Sequence, residues 1–427
     1  MKRQPTPEDD SKAMPDQSVA RRRVFYVPGF DPFPPRRYRE LYRKESAKQA
    51  DISGYLIAQS PNPDADGFGW RVQGDIGGPV TAEIDVLVWS DIVGASMGRS
   101  IAATYWQMVR TAWTYTVSGT LRRVMWLRKG PVIAALYPLG VLIAQLAVAI
   151  ALLFLVHALW AVAAASVLPA RTGHLFQFLS GVGWVLGAVA AMYALRWFKS
   201  HDGKVFAHYL MHDYAFTAQN GGAYPPELET RLAQFADRVA EALASDVDEV
   251  LVVGHSSGAY LAVSILADLI RQGRVPAVGP DLALLTLGQV IPMASFLPKA
   301  QRLRRDLHDV AASDQLMWVD VSAPGDGCAF ALCDPVAVSG VDPDTKHGPL
   351  VVSAAFTQTL APDTWAQLRW RFFRLHFQYL CAFDRPGDYD YFQITAGPLT
   401  LAERYAGRAP SRQRIDVLAS KYTDMGA

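Results

Sequence analysis

The sequence predicts an α/β protein, with a mostly parallel sheet covered by helices on both faces and interrupted by a two-helix transmembrane insertion. Three observations lead there. Short runs that are apolar throughout alternate with helix-periodic segments, the pattern of parallel strands joined by crossover helices. Between them lies a nearly uncharged stretch long enough to cross a bilayer twice. One strand, LVVG at 251–254, runs into a serine pair fenced by glycines, GHSSG at 254–258, and then into a helix.

Composition bounds the answer. The chain has 427 residues, 51% hydrophobic, with a mean hydropathy of +0.09, rich for a soluble protein. Its net charge of +1 argues against nucleic acid as a partner, because phosphate binding needs a clear basic excess. Cys328, Cys333 and Cys381 match no zinc spacing and are too few for a disulfide framework, so they read as reduced thiols in a reducing compartment.

Residues 1–23 are polar and charged, without the apolar core of a signal peptide, and read as a disordered tail. Residues 24–94 open the α/β domain. Val24–Val27 is an apolar β-branched and aromatic strand that stops at Pro28-Gly29. Pro35–Ala50 is helix-friendly, and Ile84–Trp89 is a second strand. Residues 95–130 mix Trp106, Trp113 and Trp126 with arginines, as an amphipathic helix does, whether at the membrane interface or packed on the soluble domain.

Residues 131–199 form the hairpin. Pro131–Ala170 and Leu175–Phe198 each reach the roughly 20 residues that span a bilayer core, and neither has the polar stripe of a buried soluble helix. Arg122, Arg123, Arg128 and Lys129 precede it, Arg196, Lys199 and Lys204 follow, and the connecting loop carries only Arg171. Positive flanks mark the cytoplasmic side, so both long flanks are expected there, in an integral protein of the bacterial inner membrane. Gly183 and Gly187 make a small-xxx-small pair for close helix approach, and the hairpin gives a route to homo-oligomers.

Residues 200–427 complete the domain. Leu232, Phe235, Val239 and Leu243 fall at helical spacing, Val250–Val253 is a strand, and Ser257–Gln272 is a helix ending at Gly273. Leu282–Leu287, Leu316–Val321 and Leu350–Ala354 are further strands.

Ser256 sits at a strand–turn–helix junction, flanked by the elbow glycines Gly254 and Gly258. This context gives G-x-S-x-G its meaning: the tight turn exposes the hydroxyl, and the helix N-terminus supplies amide donors. On GHSSG, on the upstream YVPGF at 26–30, and on an acid and a histidine downstream, the chain resembles the α/β-hydrolase family of esterases and lipases. Ser257 lacks the symmetric glycine fence and is the weaker nucleophile.

The resemblance implies a triad in the order Ser, acid, His. Parallel strands put catalytic loops at their carboxyl ends. Asp326, in the loop after LMWVDV, is the preferred acid; Asp320 points from within the strand, and Asp334 reaches the site only if the loop folds back. His376 follows the last strand and is the preferred base, whereas His347 precedes that strand and falls at the wrong end of the sheet. His255 lies within the elbow, too constrained to act as base. The amides of Ser257 and Phe30 are the expected oxyanion donors, although VPGF departs from the family's commoner His-Gly start. Asp31 reads as a turn residue. No metal or organic cofactor is implied. The reading is a membrane-anchored hydrolase of carboxylic esters, with lipid as the expected substrate. An acyltransferase with the same triad and a silent membrane-docked scaffold are the alternatives.

Overall fold

A computed structural model describes residues 18–62, 67–97, 100–167 and 173–426. Along the chain run β1 (Arg21–Val27), α1 (Arg36–Ser53), β2 (Leu56–Pro61), β3 (Phe68–Asp75) and β4 (Pro79–Val86). A helical stretch follows: α2 (Ser90–Met97), α3 (Ile101–Val117), α4 (Thr120–Leu127), α5 (Lys129–Val167), α6 (His174–Ser200), α7 (Ala207–Ala218) and α8 (Pro226–Leu243). Then come β5 (Glu249–His255), α9 (Gly258–Arg271), β6 (Asp281–Leu287), α10 (Ile291–Ser295), α11 (Gln301–Ala312), β7 (Met317–Ser322) and β8 (Leu350–Ser353). The strands form one eight-stranded sheet in the order β2-β3-β4-β1-β5-β6-β7-β8. From β4 to β8 neighbours are parallel, and β2 and β3 add an antiparallel edge.

Alternation along the central strands builds a core on each face. Phe25, Val27, Val250 and Val252 join one cluster with α8 and α9, while Val24, Tyr26, Leu251 and Val253 join the other. β1 and β5 lie side by side, with Val27 opposite Gly254. The chain leaves β1 for the β4 side and leaves β5 for the β6 side. Their carboxyl ends therefore flank a topological switch point, where open α/β sheets form their binding crevice.

The structure corrects the sequence reading at its edges. β2 and β3 were not expected, because an exposed edge strand carries polar residues and β3 contains glycines, so neither shows an apolar run. The strand read at Ile84–Trp89 starts at Pro79 and ends at Val86. Beyond it, Trp89 turns inward and its Nε1 donates to Pro28 O at 2.9 Å. The ordered chain also begins before residue 24, since the amides of Ser18 and Val19 donate to Pro398 O and β1 starts at Arg21. Residues 1–17 lie outside the described residues. The Arg21–Arg23 run enters the sheet because its charges are answered. Arg23 pairs with Glu83 and Asp85 at 2.6 Å each. Buried Arg22 pairs with buried Glu249 and donates to Gly397 O at 2.7 Å.

α5 and α6 are long and apolar enough to cross a membrane, with 17% and 11% of their apolar windows buried in the protein. They pack through the predicted glycines. A Cβ on Gly187 would lie 2.5 Å from Leu153 O, and one on Gly183 would lie 2.7 Å from Trp160 Cδ1. Arg171, in the connecting loop, lies outside the described residues. α3 and α4 pack on the α/β domain. Tyr115 Oη donates to Met293 O at 3.0 Å and Thr120 Oγ1 to Phe296 O at 2.8 Å, while Trp106, Trp113 and Trp126 stay exposed.

Truncating one partner of a buried ion pair strands the other charge, at a cost of about 3–5 kcal/mol. Arg22→Met is expected to lower the unfolding free energy of the detergent-solubilised protein by that amount in urea titrations. A loss below about 1 kcal/mol would show that Glu249 finds other compensation.

Candidate active site

The site starts from a steric constraint. β5 passes into α9 through Ser256, whose φ of 58° lies in the left-handed region that a side-chain-bearing residue seldom adopts. Both elbow glycines are required. A Cβ on Gly258 would lie 2.1 Å from Val27 O, and one on Gly254 would lie 2.7 Å from Ala259 Cα. The loop after β1 presses on the same turn, since a Cβ on Gly29 would lie 3.1 Å from Ser256 Cβ. Ser256 itself is half-buried and faces a cleft with an empty volume of about 900 Å³.

Asp326 and His376 come together as the sequence predicts. Asp326 sits in the loop leaving β7, and His376 ends the short helix Phe372–His376 that follows β8. The His376 Nδ1–H donates to Asp326 Oδ2 over 2.7 Å. That fixes the tautomer and leaves Nε2 as the basic nitrogen. Nε2 is buried and has no hydrogen-bond partner among the described residues. His376 and Ser256 line the same cleft, and no hydrogen bond joins them.

Sequence reasoning missed two positioning residues. Tyr379 Oη donates to Asp326 Oδ2 at 3.0 Å and accepts from the Ala323 amide at 3.0 Å, while the Cys328 amide donates to Oδ1 at 2.9 Å. The acid is thereby held by three donors. His255 is the second. Its Nε2 lies 3.0 Å from the His376 carbonyl oxygen and must carry the proton of that bond. Burial and the neighbouring His376 push His255 down to about 3, so it stays a neutral donor. The elbow thus grips the backbone of the base. No sequence pattern announces either contact.

Of the two expected oxyanion donors, the Phe30 amide donates to Ser257 Oγ at 2.8 Å. The Ser257 amide has no acceptor among the described residues. Asp31 is a turn residue with added duty, accepting from the Phe33 amide at 2.9 Å, from Tyr38 and from Arg37.

The reserve residues stand elsewhere. His347 is exposed at the amino end of β8, its amide bonded to Ala311 O. Asp334 caps the Val336 and Ala337 amides and pairs with Lys346 at 2.6 Å. Asp320 stays within β7, accepting from Thr286 Oγ1 at 2.6 Å. Asp326, Cys328 and His376 also bring potential metal-ligating atoms within 4.8 Å of one another. The acid and base already satisfy each other, however, and burial raises the Cys328 thiol, which opposes the thiolate a metal needs.

Helices from the insertion wall the cleft. Pro131 and Ala134 of α5 and Tyr209, Asp213 and Tyr214 of α7 line it. Tyr209 Oη also donates to Phe30 O, clamping the loop after β1. Comparison of the chain with known protein families, curated proteins and solved structures finds no match.

Asp320 gives a pH test of the sheet beneath the site. Burial raises its carboxyl to about 8, and its second oxygen has no partner among the described residues. A folded pKa above the unfolded value of about 3.9 favours the folded state in acid, and that advantage is lost as pH rises through about 8. In this window the group removes up to about 1.4 kcal/mol of stability per pH unit. Asp320→Asn should therefore gain on the wild type in unfolding titrations from pH 5 to pH 9. Parallel pH curves for the two proteins would contradict the assignment.

Proposed function

We propose that the chain is a membrane-anchored serine hydrolase of the α/β-hydrolase kind that cleaves carboxylic esters of lipids. The observation that carries the reading is the Asp326–His376 pair, whose unpartnered Nε2 faces the cleft of an elbow serine at positive φ. Ser256 Oγ attacks the ester carbonyl as its proton passes to His376 Nε2. Asp326 stabilises the imidazolium. The oxyanion takes the Ser257 amide, and the Phe30 amide joins when Ser257 Oγ turns aside. Collapse breaks the bond to the alcohol oxygen, which receives the proton from His376. Water, deprotonated by the same nitrogen, then releases the acid from the acyl-enzyme.

An adjoining cavity supports a lipid substrate. Met108, Tyr115, Val124, Val132, Leu139 and Met211 line an apolar space of about 620 Å³, open solvent included, that shares Tyr214 and Met293 with the cleft. It lies where α3, α4, α5 and α7 meet, at the base of the apolar hairpin. An acyl chain entering there leaves the bilayer without crossing water, and each buried methylene contributes roughly 0.8 kcal/mol. The basic flanks of the hairpin favour a cytoplasmic cleft.

A fluorophosphonate is expected to label the wild type covalently and to leave Ser256→Ala unlabelled. His376→Ala should lower ester turnover by several orders of magnitude and His347→Ala only slightly. Labelling of Ser256→Ala, or a larger effect at His347, would overturn the triad.

The protein should also remain in the membrane pellet after alkaline carbonate washing, and it should cleave long-chain esters faster than butyryl esters. Release into the supernatant would remove the spans, and a butyryl preference would remove the acyl cavity.

A further inference from the structure

Two carboxyls that the proposed mechanism does not use line the cleft, those of Asp31 and Asp213. α7 returns from the apolar hairpin and lies along the cleft, lining it with Tyr209, Asp213 and Thr217 one helical turn apart. Asp326 is saturated by His376, Tyr379 and Cys328, and Asp31 by Tyr38, Phe33 and Arg37. By contrast, no described residue donates a hydrogen bond to the Asp213 carboxyl. No lysine or arginine lines the cleft itself, and Arg37 beside it is paired with Asp31, so an anionic group beside the scissile ester meets no uncompensated cation there. The surrounding polar atoms are hydroxyls, from Tyr209, Thr217 and Tyr260.

We infer that Asp213 selects the alcohol part of the ester, accepting a hydrogen bond from a hydroxyl on the leaving alcohol, so that the preferred substrate is a long-chain ester of a neutral polyol. The inference rests on the hydrolase reading. It divides the cleft in two: the acyl chain runs past Tyr214 and Met293 into the apolar cavity, and the alcohol lies along the hydroxyl-bearing turns of α7. Burial raises Asp213 to about 7, with His376 opposing the shift. A carboxyl poised near neutrality can both accept from and donate to a hydroxyl, which suits a neutral polyol better than an ammonium.

The test uses the full-length protein in detergent and three esters of one long acyl chain: the glycerol monoester, the methyl ester, and the glycerol monoester carrying a phosphate in place of a free hydroxyl. In the wild type kcat/KM should be highest for the glycerol monoester and lowest for the phosphorylated one. Loss of that hydrogen bond in Asp213→Asn and Asp213→Ala should lower the glycerol-to-methyl preference by about tenfold. Three results would overturn the inference: a wild-type preference for the methyl or phosphorylated ester, an unchanged ratio in both variants, or equal losses on both esters. The last would place Asp213 on His376 rather than on the substrate. Fluorophosphonate labelling separates the two readings. A wild type that resists labelling removes the hydrolase and this inference with it, while a labelled wild type without polyol preference removes the inference alone. If either variant fails to fold, the wild-type ranking still decides.

Discussion

The carbonyl of Val27 and the α-carbon of Gly258 approach too closely to leave room for a side chain, and the rest of the site hangs from that contact. It exists because β1 and β5 are parallel neighbours whose onward connections diverge. Their carboxyl ends must share one small space. A residue at position 258 with a Cβ would push α9 away from the end of β1. The helix N-terminus would then no longer underlie Ser256, and the loop at Gly29 would no longer touch the nucleophile. The left-handed conformation of Ser256 follows from the same crowding, since the chain must reverse from strand to helix within one residue. The backbone strain at Ser256 thus sits where β5 turns into α9.

From this contact a buried polar chain runs outward: His255 to the His376 carbonyl, His376 to Asp326, and Asp326 to Tyr379 and the Ala323 amide. Each member is aimed by the next. In a low-dielectric interior such a chain strengthens its own bonds and makes any unpaired atom costly. The atom of this chain left unpaired among the described residues is His376 Nε2. The elbow thus fixes Ser256 by its backbone and, through His255, fixes His376 as well. The two residues are registered to one turn of chain although they lie far apart in sequence.

What the sequence made legible tracks how strongly each position is constrained. Strands buried on both faces have to be apolar throughout, and the central ones were found. The edge strand Leu56–Pro61 buries little, and Phe68–Asp75 alternates its buried residues with polar ones and glycines, so no apolar run marks either. Arg22 looked like part of a charged tail because its partner, Glu249, is brought to it only by strand pairing. Ser256, Asp326 and His376 could be chosen because parallel topology sorts residues to one end of the sheet. The engagement of the Phe30 amide by Ser257 Oγ depends on a side-chain rotamer, and rotamers leave no trace in residue spacing. Asp213 was invisible for a related reason. Its helix follows a membrane-type hairpin, and nothing local indicates that the chain returns across the cleft.

The hairpin and the cleft also share a helix, which constrains both. At about 1.5 Å per residue, the 39 residues of α5 extend about 58 Å, nearly twice a bilayer core of about 30 Å. The surplus is at the amino end, where the protein covers the helix: Val132 and Leu142 are buried, and Tyr105 Oη donates to Leu142 O at 3.0 Å. Those same turns carry Pro131 and Ala134 into the cleft and set Gly130 against Gly327 in the acid's loop, where an added Cβ would lie 3.1 Å from the Gly327 carbonyl oxygen. α5 therefore belongs both to the apolar hairpin and to the wall of the cleft, with Pro138 inside the helix between the two parts.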